Sequence, residues 1–488
     1  MISAKTSKLK ELSIIVALIL ISSLFYFYKL DNSYFFTDEI LYLDSGRQYL
    51  KGNFENNMQV PFIAKYVLGY FYSFADHNVL LLRAPFAIMG VLTSLTLFFI
   101  VKKEYGTKLG LIGFSLFLCN PLILSATKMG MLEAPMHLFW LLFAYFFIEA
   151  NKNFRLLFFT ISGLFLGLAF ASKFTSIALL PAIFVLFILQ FNGNKKYLVG
   201  YLLMFGIAGL GFIATYFPAV QKLGIKATYL KINGAFVEGY LGRSEEGKLH
   251  LINGQVFLKS PWWSYIFFLT NKVSVFGLIL YFGGIISSVF NIKNRFLYFW
   301  STFFVSALVL FQISGVKSER YLASLLIPAV VLVIIGVDYL FKKFKYAQYP
   351  IYALIFIQVL ITSANLISQE PDRYNGLINN YVSSESSQFT QNKKFYIYGS
   401  IRSIRWYVNG KAEGLDMFDY EKNLEDICSK INIYNYFVID REEIQRYGDN
   451  RITLFLNKNL GNFELSEKYG FNIYKRKAAK DQILNCDK

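Results

Sequence analysis

Long apolar segments recur along the chain up to residue 367 and are separated by shorter polar stretches. Each segment is close to the ~20 residues that an α-helix needs to cross the hydrocarbon core of a bilayer. The pattern therefore predicts about eleven transmembrane helices. The predicted spans are residues 12–30, 79–101, 109–127, 134–150, 156–172, 174–191, 197–217, 273–290, 296–314, 321–341 and 348–367.

The pattern changes after the last predicted span. Residues 394–400 and 434–440 are rich in β-branched and aromatic side chains, and residues 420–431 have helical spacing. We expect a transmembrane domain over residues 1–367, with long exterior loops at 31–78 and 218–272, and a soluble exterior α/β domain over residues 368–488. The second domain contains neither a glycine-rich phosphate loop nor a histidine. It is therefore expected to bind an acceptor or support assembly rather than carry the chemistry.

A short amphipathic stretch follows the first predicted span. Thr37 is placed to cap a helix that Gly52 would end, and Ile40 and Leu43 recur on one side of it. This spacing predicts an interfacial helix. Its first turn carries Asp38 and Glu39, so two carboxylates are expected at the membrane surface.

Composition excludes a water-soluble protein. The chain of 488 residues is 55% hydrophobic and 18% aromatic, with a mean hydropathy of +0.41. This is more apolar surface than one soluble core needs, so the fold class is a polytopic α-helical membrane protein. The three cysteines, Cys119, Cys428 and Cys486, form no disulfide framework and no metal-binding spacing. Whether Cys428 and Cys486 pair is left open.

The net charge of +17 follows membrane topology rather than nucleic-acid binding. Acidic and basic side chains nearly balance after residue 366, and the excess lies in short loops such as 102–103, 195–196 and 342–345. The positive-inside rule places these loops in the cytoplasm. We therefore expect a multi-pass protein of the cell (plasma) membrane, with a cytoplasmic N-terminus and an exterior C-terminal domain.

Several cations lie on the predicted exterior side, where the same rule expects few. Lysines and arginines at helix ends commonly snorkel and serve only as anchors. Ionisable groups at membrane depth are nevertheless costly and are often functional. A ring of cations at the exterior boundary would suit a phosphate group. Its candidate members are Arg83, Lys128, Lys173, Lys317 and Arg320.

Glu133 is a third acid on the predicted exterior side. Asp38 and Glu39 could simply favour the positive end of their helix dipole. Together with Glu133, however, they suit a general base and a second acid that orients an acceptor or a divalent metal ion. His250 lies in the other exterior loop and is, with Glu133, a candidate metal ligand. A single loop histidine is more commonly just solvated.

Six stretches carry a resemblance to a known family. In chain order they are TDEILYLDSGRQYL, VPFIAKYVLGYF, RAPFAIMG, GLFLGLAFASKFTSIALLP, HLINGQVFLKSPWWSYIFFLTNK and ERYLASLLIP. They resemble the motifs of GT-C fold glycosyltransferases that depend on a polyprenyl-phosphate sugar, in the branch of the protein O-mannosyltransferases and the aminoarabinose transferase of lipid A. The family often has His-Pro-Pro where this chain has Gln59, Val60 and Pro61.

The resemblance implies a function. A sugar carried on a polyprenyl (undecaprenyl or dolichyl) phosphate would be transferred, with inversion, to a hydroxyl on an exterior protein, lipid or glycan acceptor. Asp38 would be the general base, and Glu39 and Glu133 would orient the acceptor or hold an ion. Tyr321 would donate a hydrogen bond to the phosphate. The cations named above would stabilise the charge of the departing lipid phosphate.

Two other classes of function are weighed against this one. A multi-span transporter or lipid flippase would also carry charges within its spans, but it should show paired halves with matching Gly or Pro interruptions, which this sequence lacks. A non-catalytic membrane scaffold that presents the exterior domain would not need the acids. The sequence identifies neither the sugar nor the acceptor.

Overall fold

The computed structural model describes most of the membrane part and the strands of the C-terminal part. The described residues are 2–32, 37–191, 194–240, 250–252, 255–257, 260–290, 295–314, 317–369, 377, 395–399, 413–416, 436–441, 451–468 and 470–477. They divide into two compact units. The first comprises Met1–Leu30, Tyr42–Glu245 and Pro261–Gln369, and the second comprises Asp31–Leu41, Glu246–Ser260 and Glu370–Lys488.

Helices dominate the chain up to Gln369. Those described are α1 (Ile2–Phe27), α2 (Thr37–Leu50), α3 (Ile63–Ala75), α4 (Val79–Tyr105), α5 (Thr107–Leu118), α6 (Pro121–Lys128), α7 (Glu133–Asn153), α8 (Leu156–Ser172), α9 (Leu179–Phe191), α10 (Lys195–Leu223), α11 (Ile225–Tyr240), α12 (Ser264–Lys272), α13 (Val275–Ser288), α14 (Arg295–Ile313), α15 (Glu319–Lys343) and α16 (Gln348–Ser368). A 3₁₀ turn, Phe174–Ala178, precedes α9.

Every predicted span coincides with helical structure. Within the described residues, seven helices are long and apolar enough to cross a membrane. A further span, predicted as residues 109–127, consists of α5 and α6 joined at an angle of 67°. The predicted spans 156–172 and 273–290 correspond to the shorter apolar helices α8 and α13, and span 134–150 lies within α7.

α15 forms the centre of the helical unit. Its residues from Leu322 to Asp338 are all buried, and most of the apolar ones belong to a hydrophobic core shared with α4, α5, α7, α13 and α14. A helix that is apolar all round is expected in such a position. Ser318 caps its N-terminus by accepting a hydrogen bond from the Tyr321 backbone N–H. The cap thereby fixes the first turn of α15, at the end of the helix that the sequence predicts to be exterior.

Glycines allow close helix packing within this unit. A Cβ placed on Gly167 of α8 would lie 2.4 Å from the Ala208 carbonyl oxygen of α10. A Cβ placed on Gly163, one turn earlier, would likewise lie 2.4 Å from the Met204 carbonyl oxygen. Small residues four apart are a common device for bringing membrane helices together.

The second unit contains the strands. Strands β1 (His250–Ile252) and β2 (Gln255–Phe257) form an antiparallel hairpin. The larger sheet comprises β3 (Phe395–Gly399), β4 (Glu413–Asp416), β5 (Tyr436–Asp440), β6 (Phe463–Lys468) and β7 (Phe471–Arg476), in the order β4-β3-β5-β7-β6. β3 is parallel to β4 and β5, whereas β7 is antiparallel to β5 and β6.

The sheet agrees with the α/β pattern of the sequence. The predicted strands 394–400 and 434–440 are β3 and β5. All five residues of β5 are buried, as expected for a central strand. A helix, α17 (Arg451–Lys458), precedes β6. The predicted helix 420–431, with Cys428, and also Cys486, lie outside the described residues.

Candidate active site

The two acids of α2 occupy its first turn, as the sequence predicts. Glu39 is fully buried, whereas Asp38 is partly exposed. The helix ends at Leu50, and Gly52 follows with φ +78°, a backbone conformation that favours glycine. Asp38 and Glu39 belong to the second compact unit.

A buried ion pair joins Glu133 and Lys173 in the first unit. Glu133 begins α7, and Lys173 lies in the extended break between α8 and the 3₁₀ turn. The Lys173 Nζ atom donates to Glu133 Oε1 at 2.6 Å, and both side chains are almost inaccessible to solvent. Two charges taken out of water must be well paired to be tolerated. Glu133 therefore fixes the position of the Lys173 ammonium.

The start of α15 adds two further predicted residues to this pair. The Lys173 ammonium lies 4.5 Å from the centre of the Tyr321 ring, a cation–π arrangement. The Tyr321 ring stacks in turn on Phe311 of α14, with centroids 5.4 Å apart. Arg320 interacts electrostatically with Glu133 and donates a long hydrogen bond, 3.5 Å, to Met131 Sδ. Glu133, Lys173, Arg320 and Tyr321 are called the ion-pair cluster below.

Arg83 and Lys128 form a second cationic group, at the end of α1. The Arg83 guanidinium donates to the Leu30 carbonyl at 3.0 Å, and the Lys128 ammonium donates to the Tyr28 carbonyl at 2.7 Å. The charges of the two side chains are close enough to interact. Both residues thus hold the main chain where it leaves the first helix, just before the segment that carries Asp38.

Lys317 and His250 are the remaining predicted residues of the site. Lys317 is buried and donates to the Ser314 carbonyl at 3.3 Å. His250 lies in β1, and its side chain is outside the described part of the structure. Among the side chains that are described, no three His, Cys, Asp or Glu residues lie close enough together to share a metal ion.

His137 and Ser324 were missed by the sequence analysis. The His137 Nε2 atom lies 2.9 Å from Ser324 Oγ, and that hydroxyl donates to the Arg320 carbonyl at 3.2 Å. His137 follows Glu133 by four positions, and Ser324 follows Arg320 by four, so each pair lies on one helix face. α7 and α15 are therefore connected twice, one turn apart. Polar residues at this spacing within apolar helices were the available signal.

The sequence indicates Lys65 only as a member of the stretch VPFIAKYVLGYF. Its fully buried ammonium donates to the carbonyls of Asn57 and Val60, the latter at 2.7 Å, and lies 3.3 Å from the Tyr49 hydroxyl. Burial lowers the pKa of Lys65 well below its ordinary value, and burial also raises the pKa of its neighbour Tyr66 to about 12. Through its hydrogen bonds to the Asn57 and Val60 carbonyls, Lys65 orders the turn that precedes α3.

Part of the chain matches a known protein family. The family described as dolichyl-phosphate-mannose-protein mannosyltransferase matches residues 59–219. This region includes Arg83, Lys128, Glu133 and Lys173. Among curated proteins, none matches this chain in sequence.

Solved structures match over almost the whole chain. ArnT from Cupriavidus metallidurans, bound to undecaprenyl phosphate, has a TM-score of 0.62 at 11% identity, covering 98% of this chain and 99% of that chain. The oligosaccharyltransferase of Archaeoglobus fulgidus, in complex with Zn and sulfate, has a TM-score of 0.55 at 13% identity, covering 94% and 73%. The fold predicted from the sequence, a GT-C-like membrane domain with a C-terminal α/β domain, is confirmed. The predicted glycosyltransferase class agrees with these matches.

Proposed function

We propose that this chain is a membrane glycosyltransferase that moves a sugar from a polyprenyl phosphate to a hydroxyl of an exterior acceptor. The observation that carries the proposal is the ion-pair cluster, in which a buried lysine and an arginine are arranged around one carboxylate. This cluster occurs in a fold shared with ArnT, whose matched structure contains undecaprenyl phosphate. The matching family is described by a lipid-phosphate sugar and a transferase activity.

The leaving group accounts for the cations. When the bond between the sugar C1 atom and the phosphate oxygen breaks, negative charge develops on the lipid phosphate. Lys173 and Arg320 would stabilise this charge, because cations already held in position and shielded from water interact strongly with a developing negative charge. Lys173 is already held between the Glu133 carboxylate and the Tyr321 ring, so little reorganisation is needed. Arg83, Lys128 and Lys317 complete the proposed phosphate-binding set, in which Tyr321 would donate a hydrogen bond.

The acids of α2 are assigned to activating and orienting the acceptor hydroxyl, which is the nucleophile. We assign Asp38 as the general base that takes the proton of the acceptor hydroxyl while its oxygen attacks the sugar C1 atom from the face opposite the phosphate. One C–O bond forms as the other breaks, so the configuration inverts. Free polyprenyl phosphate is the second product. Glu39 is assigned to orienting the acceptor.

Glu133 retains one oxygen for a ligand. Its Oε1 atom accepts from Lys173, whereas Oε2 has no hydrogen-bond partner among the described residues. A buried acceptor without a partner is costly, so Oε2 suits an acceptor hydroxyl or a divalent ion. If an ion takes part, Glu133 and His250 are its candidate ligands, and it would offset negative charge. We further propose that the N-terminus lies in the cytoplasm and the C-terminal domain outside.

An assay with purified protein tests the proposal. The protein is reconstituted with a panel of polyprenyl-phosphate sugars and crude cell-envelope acceptor, and released polyprenyl phosphate is measured. We expect one donor to be consumed by the native chain, and consumption per folded molecule to fall at least about tenfold in Lys173→Gln. Lys272→Gln, which removes a half-exposed lysine paired with Glu319, is the matched control and should retain activity. Lipid movement across vesicles without any release would identify a flippase instead.

A further inference from the structure

The bent span formed by α5 and α6 breaks at Cys119 and Asn120. In a continuous helix the Cys119 carbonyl would accept from the backbone N–H of Ile123. Here the Asn120 side chain accepts from the N–H groups of Leu122 and Ile123 and starts a new helix, with Pro121 in its first position. The Cys119 carbonyl thereby loses its helical partner in the buried interior.

Side chains from α16 replace that partner. Thr362 Oγ1 donates to the Cys119 carbonyl at 2.7 Å, and Gln358 Nε2 donates to the same oxygen at 3.1 Å. Gln358 Nε2 also lies 3.1 Å from Thr362 Oγ1. All three residues are buried. We call Gln358, Thr362 and the Cys119 carbonyl the carbonyl clamp.

Two contacts from α13 and the residue preceding it complete the arrangement. Ser274, the N-cap of α13, donates to Gln358 Oε1 and so orients the amide of the carbonyl clamp. On the other side of the break, Asn120 Nδ2 donates to the Tyr281 hydroxyl at 3.0 Å. The break is therefore satisfied on both sides by neighbouring helices. Irregular backbone at membrane depth is tolerated only where the protein supplies such partners.

The break determines where α6 ends. α6 turns 67° away from α5 and finishes at Lys128, whose ammonium holds the Tyr28 carbonyl. A straight helix through residues 107–128 would carry Lys128 in a different direction from this carbonyl. The bend is thus the feature that connects Lys128 to the end of α1.

We propose that Gln358 and Thr362 are positioning residues, which stabilise the break at Cys119 and thereby set the direction of α6 and the placement of Lys128. The structural part of this inference stands on the hydrogen bonds alone. The kinetic part rests on the proposed transferase function, in which Lys128 belongs to the phosphate-binding set.

Cys119 reports directly on the structural part. In a Cys428→Ser/Cys486→Ser background it is the remaining thiol of the chain, and it is almost fully buried. Thr362→Val keeps the side-chain shape and removes the hydroxyl. We expect its Cys119 alkylation rate to rise about five- to tenfold, as the loss of one hydrogen bond would produce. Gln358→Met should act in the same direction, and Thr362→Ser should restore the slow rate.

The matched control is Thr160→Val, because the Thr160 hydroxyl bonds only to Leu156 of its own helix among the contacts described. Its alkylation rate should equal that of the parent. Equal rates for Thr362→Val and the parent would overturn the inference. This measurement needs no enzyme activity, so its failure is separate from a failure of the proposed function.

A double-mutant cycle tests the kinetic part. Thr362→Val should lower kcat/KM for the lipid-phosphate donor about fivefold in the native background. In a Lys128→Met background it should leave kcat/KM nearly unchanged, because two substitutions that act through the same residue are not additive. Full additivity of the two substitutions would show that Thr362 does not act through Lys128. If no donor is consumed by the native chain, the alkylation result alone decides.

Discussion

The Glu133–Lys173 pair is the residue-scale feature on which the candidate site depends. The sequence predicts both residues as functional. Basic residues of membrane proteins are concentrated in cytoplasmic loops, so charged residues on the predicted exterior side are unusual there. It does not predict that they pair, since they are 40 positions apart and only the packing of α7 against α8 brings them together. For the same reason the backbone partners of Arg83 and Lys128 and the connection of His137 to Ser324 were not predictable.

The ion pair leads to a stability prediction. Glu133→Gln and Lys173→Met each leave one charge buried without its partner, and each should destabilise the protein by about 3–5 kcal/mol. The double variant should lose clearly less than the sum of the two, because neither buried charge of the pair remains. Thermal or denaturant unfolding in detergent measures all three.

The control pair for this cycle is Lys272 and Glu319, which are 3.5 Å apart and half-exposed. Glu319→Gln should change stability by only about 0–1 kcal/mol. If the effects at Glu133 and Lys173 were additive, the two side chains would not be energetically coupled. That result would contradict the claim that Glu133 fixes the position of Lys173.

Helices were predictable at the scale of elements, but the bend within one of the predicted spans was not. Every span found by hydropathy coincides with helical structure, because lipid-facing and buried helical surfaces are both apolar. The bend at Asn120 was missed, although Asn followed by Pro is a helix-start signal. Hydropathy is averaged over a window of residues, so a single polar residue such as Asn120 does not interrupt a predicted span. The close approach of α8 and α10 was likewise invisible, since it depends on which faces meet.

That close approach leads to a prediction about glycines. Gly167→Ala should destabilise the protein, because its Cβ would lie 2.4 Å from the Ala208 carbonyl oxygen and the two helices would have to separate. The matched control is Gly206→Ala in α10, where a Cβ meets nothing within 4 Å. It should be neutral or stabilising by about 0.5–1 kcal/mol, from helix propensity. Melting temperatures of the two variants compare them, and an equal effect would contradict close packing at Gly167.

At the scale of the whole molecule, the sequence predicts the class of protein and the presence of an α/β domain. It places the change of character after residue 367, where the apolar pattern ends. Contacts in the structure group residues 31–41 and 246–260 with the residues after 369. A sequence pattern does not reveal this grouping, because it depends on contacts between segments more than 100 residues apart. The segment that carries Asp38 thus belongs to the same compact unit as the C-terminal sheet.

The central claim is that one carboxylate, Asp38, takes a proton while a lipid phosphate departs. Single-turnover transfer from the donor identified in the panel tests it most directly, with Asp38→Asn compared with Asp44→Asn. Asp44 lies on the same helix and makes a half-exposed ion pair with Arg47 at 3.8 Å. We predict that Asp38→Asn folds normally and loses at least about 100-fold in transfer rate, whereas Asp44→Asn stays near the native rate. A native rate in Asp38→Asn would contradict the account.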